Sequence, residues 1–538
     1  MSRQFDAIVV GSGLGGLTAG ALYARAGYRV LVLERNQTFG GAATVYQHGA
    51  LAIEASLHEI DGLDAEDPKA PILRSLGLDR DIPFVDVGDL HEVRSARLGE
   101  PFVLPHGIDA ALAAAKQRFP HQATGLDEYF ERIRAVRHAV ATISAHQDDR
   151  SWWLWNAPAL LRRLWPLIRD RHATLSEVLQ RLFGDDEAVK LALAPNLLYY
   201  TDDPDTMPFV AFAIPQASYL MGGGHYVRGG SRVLSDRLIA IVREACGEAE
   251  VGRDVQAILL SDDRVRGVRH CARSAGGADD LREDLAPVVF GNAAPTVLAA
   301  MLPEQLRPRF SALYRDRRPS ISLWTISLGL SRPSHAFGVR HYSTTILPDW
   351  MTALGQFREA GTLLREDPGK RTPPYGFVAY DQIDSGLNQS GPFLVSMVGV
   401  DRLANWTDVA ADTKRMRKER WMDRIIADLD GQFPGIADAV VQREMSTAET
   451  YHHYLNTPDG AIYGFAPHTR KFMPLVETAI GGLYLASAFT GGGGFTGAML
   501  GGGWAARAAI KTGSDRRTRA LAAAPSPTIS RRSQSRKL

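Results

Sequence analysis

Only two cysteines, Cys246 and Cys271, occur among 538 residues. That scarcity excludes a disulfide framework as a folding device. Neither cysteine has the Cys-x-x-Cys partner that a zinc or redox site uses, so inert thiols in a reducing, cytoplasmic setting are expected. An excess of charge is also missing, since 61 Lys and Arg against 60 Asp and Glu leave +1. Neutralising a phosphate backbone needs a basic surplus, so no nucleic-acid partner is expected. No apolar run reaches the ~20 residues that span a bilayer. Strand-like residues begin almost at once and Arg3 is followed by Asp6, so no secretory signal is expected. His-x-Glu and paired-His spacings are absent, and no metal is expected.

What is present is glycine in a particular order. Gly11-Ser12-Gly13-Leu14-Gly15-Gly16 lies between an apolar strand, Ile8 to Val10, and a helix, Leu17 to Arg25; a second strand, Leu31 to Leu33, then ends in Glu34. This is the dinucleotide fingerprint in its full strand–helix–strand context. Gly11 allows the tight turn, Gly13 lets a pyrophosphate approach the backbone, and Gly16 lets the helix pack close to the sheet. The helix N-terminus offers free N–H groups to phosphates, and Glu34 can accept hydrogen bonds from a ribose.

Further motifs narrow the dinucleotide. Glu34-Arg35-Asn36 is followed by Gly40-Gly41-Ala42-Ala43. This stretch resembles the FAD-binding amine oxidase and phytoene desaturase superfamily, in which the glycine pair runs beside the flavin's phosphate and ribityl portion. Near the other end, a strand at 482–486 leads into Thr490-Gly491-Gly492-Gly493-Gly494-Phe495-Thr496-Gly497-Ala498 and an Ala-rich helix through about Lys511. That is similar to the superfamily's C-terminal FAD motif, although Ser487 stands where Gly is common. A strand and hairpin over 251–268 resemble the cover of the FAD adenine, and Val288-Val289-Phe290-Gly291-Asn292 resembles the strand return. Thr457 to Phe465, with Gly494 to Ala498, is most similar to the branch of carotenoid isomerases and retinol saturases. The resemblance spans about 5–511. It implies FAD as cofactor, held by Gly11, Gly13, Gly16, Glu34, Arg35, Gly41, Ala42, Val255, Asn292, Gly494, Phe495 and Thr496.

The expected fold class is α/β, a Rossmann-like FAD-binding domain with an inserted α+β substrate domain; a chain this long should divide into two domains. The nucleotide elements fall at 1–85, 225–300 and 440–512, and the substrate domain at 86–224 and 301–439. Residues 513–538, rich in Arg, Ser, Ala and Pro, read as a disordered basic tail. In the first insertion Thr174-x-x-Glu177 reads as a capping box. In the second, Ser320 to Leu328 alternates as a half-buried strand does, with Phe393 to Val400 as its expected neighbour. Asp185-Asp186-Glu187 reads as a solvated helix start.

Trp152-Trp153-Leu154-Trp155 precedes Asn156-Ala157-Pro158, a helix start, and a stretch to Ile168 in which Leu and Trp alternate with Arg; Pro166 is expected to break it. Aromatic and basic residues mixed in this way suit either a membrane interface or a helix packed on the sheet domain with Arg in solvent. A peripheral membrane surface is therefore an expected partner.

The resemblance implies an FAD-dependent oxidoreductase acting on carbon–carbon bonds of a long polyene or isoprenoid lipid. Desaturation, saturation and cis–trans isomerisation stay open, and quinone, oxygen or NAD(P)H could exchange electrons with the flavin. The alternatives are a flavin amine oxidase and a non-catalytic, FAD-stabilised lipid-binding protein. A hydrocarbon substrate calls for an apolar tunnel with one or two polar groups. The catalytic candidates are His58, able to donate a proton or simply to cap a turn, and His225, beside the run Gly222-Gly223-Gly224 and next to Tyr226. His452 and His453, read as strand residues, would point opposite ways, so at most one could enter a pocket.

Overall fold

Ile8, Val9 and Val10 have nothing to offer water, and the strand they belong to, Ala7–Val10, lies at the centre of a parallel sheet. The computed structural model describes residues 3–146, 149–273, 280–471 and 473–523. The sheet runs in the order Glu248–Glu250, Val30–Leu33, Ala7–Val10, Val288–Gly291, Leu483–Leu485, with every pairing parallel. Both of its faces are covered, which is why the central strands read as unbroken apolar runs. Ala7, Val9, Val30 and Val32 pack with the helices Leu14–Arg25, Arg232–Glu244 and Gly494–Ala523. Ile8, Val10, Leu31 and Leu33 pack with a three-stranded antiparallel sheet that contains Val255, Ile258 and Val268. Side chains of this size stabilise by ~1.5–3 kcal/mol each when buried.

The first and last helices touch through glycine. A Cβ on Gly502 would lie 2.1 Å from the Gly15 carbonyl oxygen, and one on Gly15 would lie 2.5 Å from that of Ala486. The last helix runs from Gly494 to Ala523, beyond the end expected near Lys511 and into the stretch expected as tail. The rest of that tail, 524–538, lies outside the described residues.

The second layer is a seven-stranded sheet in the order Val440–Ser446, Ser322–Leu330, Phe393–Asp401, Tyr375–Ala379, Ser343–Leu347, His91–Ser95, Phe102–Leu104. Its pairings are antiparallel except for Ser343–Leu347 beside His91–Ser95. Ser322–Leu330 pairs with Phe393–Asp401, but it is buried along nearly its whole length rather than on alternate positions. The reason is cover on both sides: Trp324, Ile326 and Leu328 pack on the helix Ala411–Gln432, while Leu323, Val398 and Val400 meet the helices of the first insertion. Two strands of this sheet, at 91–104, come from the first insertion. The edge strand Val440–Ser446 comes from beyond the boundary expected at 439. A small sheet, in which Gly224–Val227 pairs with both Ile60–Asp61 and Phe84–Asp86, joins the two layers.

The helices of the first insertion begin where side chains cap them. The Thr174 hydroxyl accepts from the Glu177 N–H at 3.2 Å, and the Glu177 carboxylate accepts from the Thr174 N–H at 2.9 Å. Asp186 caps the helix Glu187–Leu193, and one carboxylate oxygen lies 2.7 Å from His121 Nε2, so this acid is tied down rather than free in solvent. The helix expected to start at Asn156-Ala157-Pro158 does so, as Ala157–Arg169, and the break expected at Pro166 is what differs. Trp152 to Trp155 are already helical, in Arg150–Trp155, whose N-cap is Asp149. Asn156 donates its side-chain N–H to the Trp152 carbonyl instead of capping the helix Ala157–Arg169, and that helix runs through Pro166 unbroken. Among the described residues no helix is long and apolar enough to cross a membrane.

Candidate functional site

A single cavity of about 1210 Å³ begins at the glycine turn and ends between the seven-stranded sheet and the insertion helices. At the first end the turn is pinned from both sides. Gly11 has φ +91°, and its N–H donates to the Leu33 carbonyl. The Asn292 side-chain oxygen accepts from the Gly16 N–H at 2.9 Å. A Cβ on Gly13 would lie 2.5 Å from Asn292 Nδ2. Gly13 is therefore small to admit Asn292, a reason the fingerprint alone did not give. A Cβ on Gly16 would lie 2.5 Å from the Gly11 carbonyl oxygen and 2.9 Å from Val9, so the helix sits hard against the strand.

Glu34 is buried at the end of its strand. One carboxylate oxygen accepts from the Ser12 N–H at 2.8 Å and the Ser12 hydroxyl at 2.7 Å; the other accepts from the Asn36 N–H at 2.8 Å. Ser12 thus locks the acid to the turn, a role hidden behind an anonymous x in the motif. Arg35 lies on the cavity wall, and its guanidinium donates to the carbonyls of His453 and Tyr454. Burial and the nearby Arg273 lower its pKa. Gly41, Ala42, Val255 and Asn292 also line this end. Opposite them stand Gly494, with φ +73°, and Phe495 and Thr496. Ser487, the departure from the family pattern, accepts from the Phe489 N–H at 3.3 Å and starts the turn that leads there.

A buried chain of hydrogen bonds and one ion pair ties the glycine turn of the last helix to the strand Ile60–Asp61. The Thr496 hydroxyl donates to Asp61 at 2.5 Å. Lys69 is fully buried, donates to the Asp61 carbonyl and pairs with Asp67 at 2.5 Å. Burial alone would raise Asp61, but the Lys69 charge and hydrogen bonds from Ser218 and Thr496 hold its carboxyl below the usual range.

The far end is apolar, with Val140, Ile143 and Leu167 facing Leu323 and Val398. Its polar groups are few. His58 Nδ1 lies 3.1 Å from the Tyr199 hydroxyl, and burial pushes the imidazole down to about 4. At neutral pH His58 is uncharged, so it enters the chamber as a neutral imidazole rather than a ready cationic acid. Glu59, its neighbour, is pushed up to about 8 by burial, with Asp61 adding to the shift, and its Oε2 has no hydrogen-bond partner. Tyr199, Tyr200, Tyr219 and Tyr463 supply further hydroxyls. They escaped sequence reasoning because they come from segments far apart in the chain; the pair Tyr199-Tyr200 after Leu197-Leu198 was the only local hint.

His225 does not line the cavity. It sits on Gly224–Val227, between its two partner strands, with Nδ1 buried and unpartnered, and burial lowers its pKa. Tyr226 also points away, donating to Glu54 at 3.1 Å. His452 and His453 lie on the helix Ala448–Leu455, not on a strand, and both are exposed; Tyr451 of that helix is the residue that reaches the cavity wall.

A nucleotide turn that opens into a greasy chamber places the chain in the class of dinucleotide-binding oxidoreductases. Residues 9–68 match the NAD(P)-binding Rossmann-like domain. The chain's homologues are all-trans-retinol 13,14-reductases and prolycopene isomerases. Against the rat reductase it is 28% identical over 335 residues, 61% of this chain and 54% of that protein, so the match spans about half of that relative's length. The human reductase is 24% identical across 89% of this chain and 80% of its own. The chloroplastic prolycopene isomerase of carrot, Daucus carota, is 24% identical across 90% and 76%. Among solved structures, an oxidoreductase from Methanosarcina mazei superposes with TM-score 0.58 at 16% identity, covering 94% of this chain and 100% of that one. Wild-type putrescine oxidase bound to putrescine gives 0.60 at 14%, covering 96% and 100%. At these identities the structures share the fold alone.

Proposed function

We propose that the protein is an FAD-dependent oxidoreductase acting on carbon–carbon bonds of a long polyene or isoprenoid lipid. The observation that carries this reading is the continuity of the cavity, with a dinucleotide turn at one end and an apolar, sparsely polar chamber at the other. The residues fit a flavin dinucleotide. A Cβ on Gly492 or Gly494 would meet no atom within 4 Å, so backbone amides at the start of the last helix border open space. The N-terminus of the helix Leu14–Arg25 borders the same space, and two helix N-termini favour anionic or carbonyl-bearing groups. Glu34 would take the ribose, and Gly41 and Ala42 would lie along the phosphate and ribityl chain.

When bound, the flavin supplies hydride exchange with the substrate. The chain's own part is to orient the lipid and exclude water. Val140, Ile143, Leu167, Leu323 and Val398 offer dispersion contacts along its length. The relatives whose names specify retinol and prolycopene support a polyene rather than an amine.

The same reading includes a peripheral membrane surface. Leu154, Trp155, Leu161 and Trp165 are 78%, 86%, 64% and 51% exposed, and Arg162 and Arg163 are exposed beside them. Leu167 of the same helix lines the cavity, so a lipid leaving the bilayer under this helix would arrive at the chamber. Trp152 and Trp153 are not part of that surface: Trp152 stacks on His146 with ring centroids 3.7 Å apart, and Trp153 donates to the His146 carbonyl.

The test is a visible spectrum of purified protein followed by anaerobic mixing with polyenes. Yellow protein whose flavin is reoxidised by the lipid is a saturase, one whose flavin bleaches is a desaturase, and one that changes lipid geometry without net redox change is an isomerase. Colourless protein that stays colourless with excess FAD overturns the reading.

A further inference from the structure

Glu59 is a carboxyl without a counterion in the apolar end of the cavity. Oε2 lies in an apolar notch: a Cβ on Gly224 would be 2.5 Å from it and 2.9 Å from Val87, so the absence of a side chain at 224 makes room for this oxygen. Nothing donates to Oε2 there. The cations nearby are spoken for. Lys69 is bound to Asp61 and Asp67, and Arg137 pairs with Asp64 at 2.5 Å. The groups that face Glu59 are acids and phenols: Asp61 on the following strand, Tyr199 and Tyr200 from the turn after Leu198, Tyr219 from the helix Phe209–Gly222, and Tyr342 before Ser343–Leu347. His58, next in the chain, is neutral. The strand Gly224–Val227 contributes only Gly224 on that side. An unpaired carboxylate in such surroundings is costly, and a neutral acid is not.

We propose that Glu59 is the acid that delivers a proton to a carbon of the bound lipid, from Oε1, the oxygen not held in the notch. This rests on the functional reading above and deepens it. In a saturation one carbon of the double bond takes up a hydride, with its electron pair, supplied by the reduced cofactor. The other carbon takes the proton of Glu59; the double bond becomes single, and the resulting carboxylate is reprotonated from water. In an isomerisation the same proton is lent and returned, with no net electron transfer. Burial with Asp61 nearby keeps Glu59 an acid up to about pH 8, and in the reverse reaction, desaturation, its carboxylate would take the same proton back.

Two measurements test this. Infrared difference spectra of the flavin-loaded wild-type protein, taken without substrate, should show a protonated-carboxyl carbonyl band at neutral pH. The band should convert to carboxylate with a midpoint near 8 and be missing in Glu59→Gln. If no such band is present at neutral pH, the proposal is overturned. Reduced protein is then mixed with a polyene in heavy water. Wild type should place deuterium on the lipid carbon, and Glu59→Gln should turn over ~100-fold or more slowly with KM little changed. A variant that keeps pace with a competent wild type overturns the role of Glu59 alone. Wild type that leaves every polyene untouched overturns the functional reading, and with it the destination of the proton.

Discussion

The two ends of the cavity are made of different material. The nucleotide end is backbone: glycine turns, helix N-termini and one acid, contributed by a few short segments, each with its own local pattern in the sequence. The chamber end is side chain: single residues delivered by a sheet and helices from all over the chain. Backbone sites depend on what is missing, since a Cβ at Gly13 or Gly16 has nowhere to go. Chamber sites depend on what is buried, since Glu59 and His58 owe their protonation to the apolar wall around them.

The sharpest way to break the comparison is to cut the joint. Lys69→Met leaves Asp67 and Asp61 buried without their cation, which should cost ~3–5 kcal/mol. Urea unfolding should show the lower midpoint, and flavin should be lost together with lipid binding; loss of only one would show the ends to be independent.

Next in size is an acid effect confined to the chamber. His91 is buried on the cavity wall, and burial holds it at about 4 instead of 6.5. The unfolded chain then binds a proton that the folded one refuses between those values. Stability is therefore complete above about pH 6.5 and falls as pH drops toward 4, by about 3 kcal/mol from His91, with His58, held at the same value, adding a similar loss. His91→Gln should remove about half of that fall from the pH–stability curve, while a substitution in the glycine turn should leave its slope unchanged.

A smaller effect belongs to the nucleotide end alone. Glu34→Ala removes the acceptor of Ser12 and Asn36 and should weaken FAD binding ~10–100-fold, at ~1.5–3 kcal/mol for a charged hydrogen-bonding group. Flavin fluorescence titration would measure it, with lipid binding unaffected. Smallest in stability is the surface set Leu154→Ser, Trp155→Ser, Leu161→Ser and Trp165→Ser. Unfolding should move by less than ~0.5 kcal/mol, yet the protein should pass from the pellet to the supernatant with anionic liposomes. Wild type that never pellets would remove the membrane from the picture.

The same contrast explains what could be read from sequence. The centre of the sheet around Ala7–Val10 was legible because two of its strands, the turn and the acid sit within one short stretch with the right periods, while its other three strands come from far along the chain. The pairing of Ser322–Leu330 with Phe393–Asp401 was visible in composition, but its two-sided burial was not, because the second cover is the distant helix Ala411–Gln432. His225 misled because a glycine run beside it resembled a ligand loop; its glycines instead admit Glu59 and other packed side chains. The helix start at Asn156-Ala157-Pro158 was legible, but the passage through Pro166 and the short helix Arg150–Trp155 that Asp149 caps ahead of it were not. Glu59 was in view beside His58, but its significance is a property of the solvent it lacks, which no local pattern records.

The contact of Gly15 with Gly502 has a consequence for biogenesis. The helix that opens the nucleotide fold finds its companion near the far terminus, and the sheet gains the edge strand Leu483–Leu485 just before it. During synthesis the early half therefore waits, with its outer helical face uncovered, until the segment around Gly502 has left the ribosome. A chain with so late a closing contact is exposed to aggregation while it waits, and shielding of the nascent first helix should matter more to its yield than any single change in the finished core.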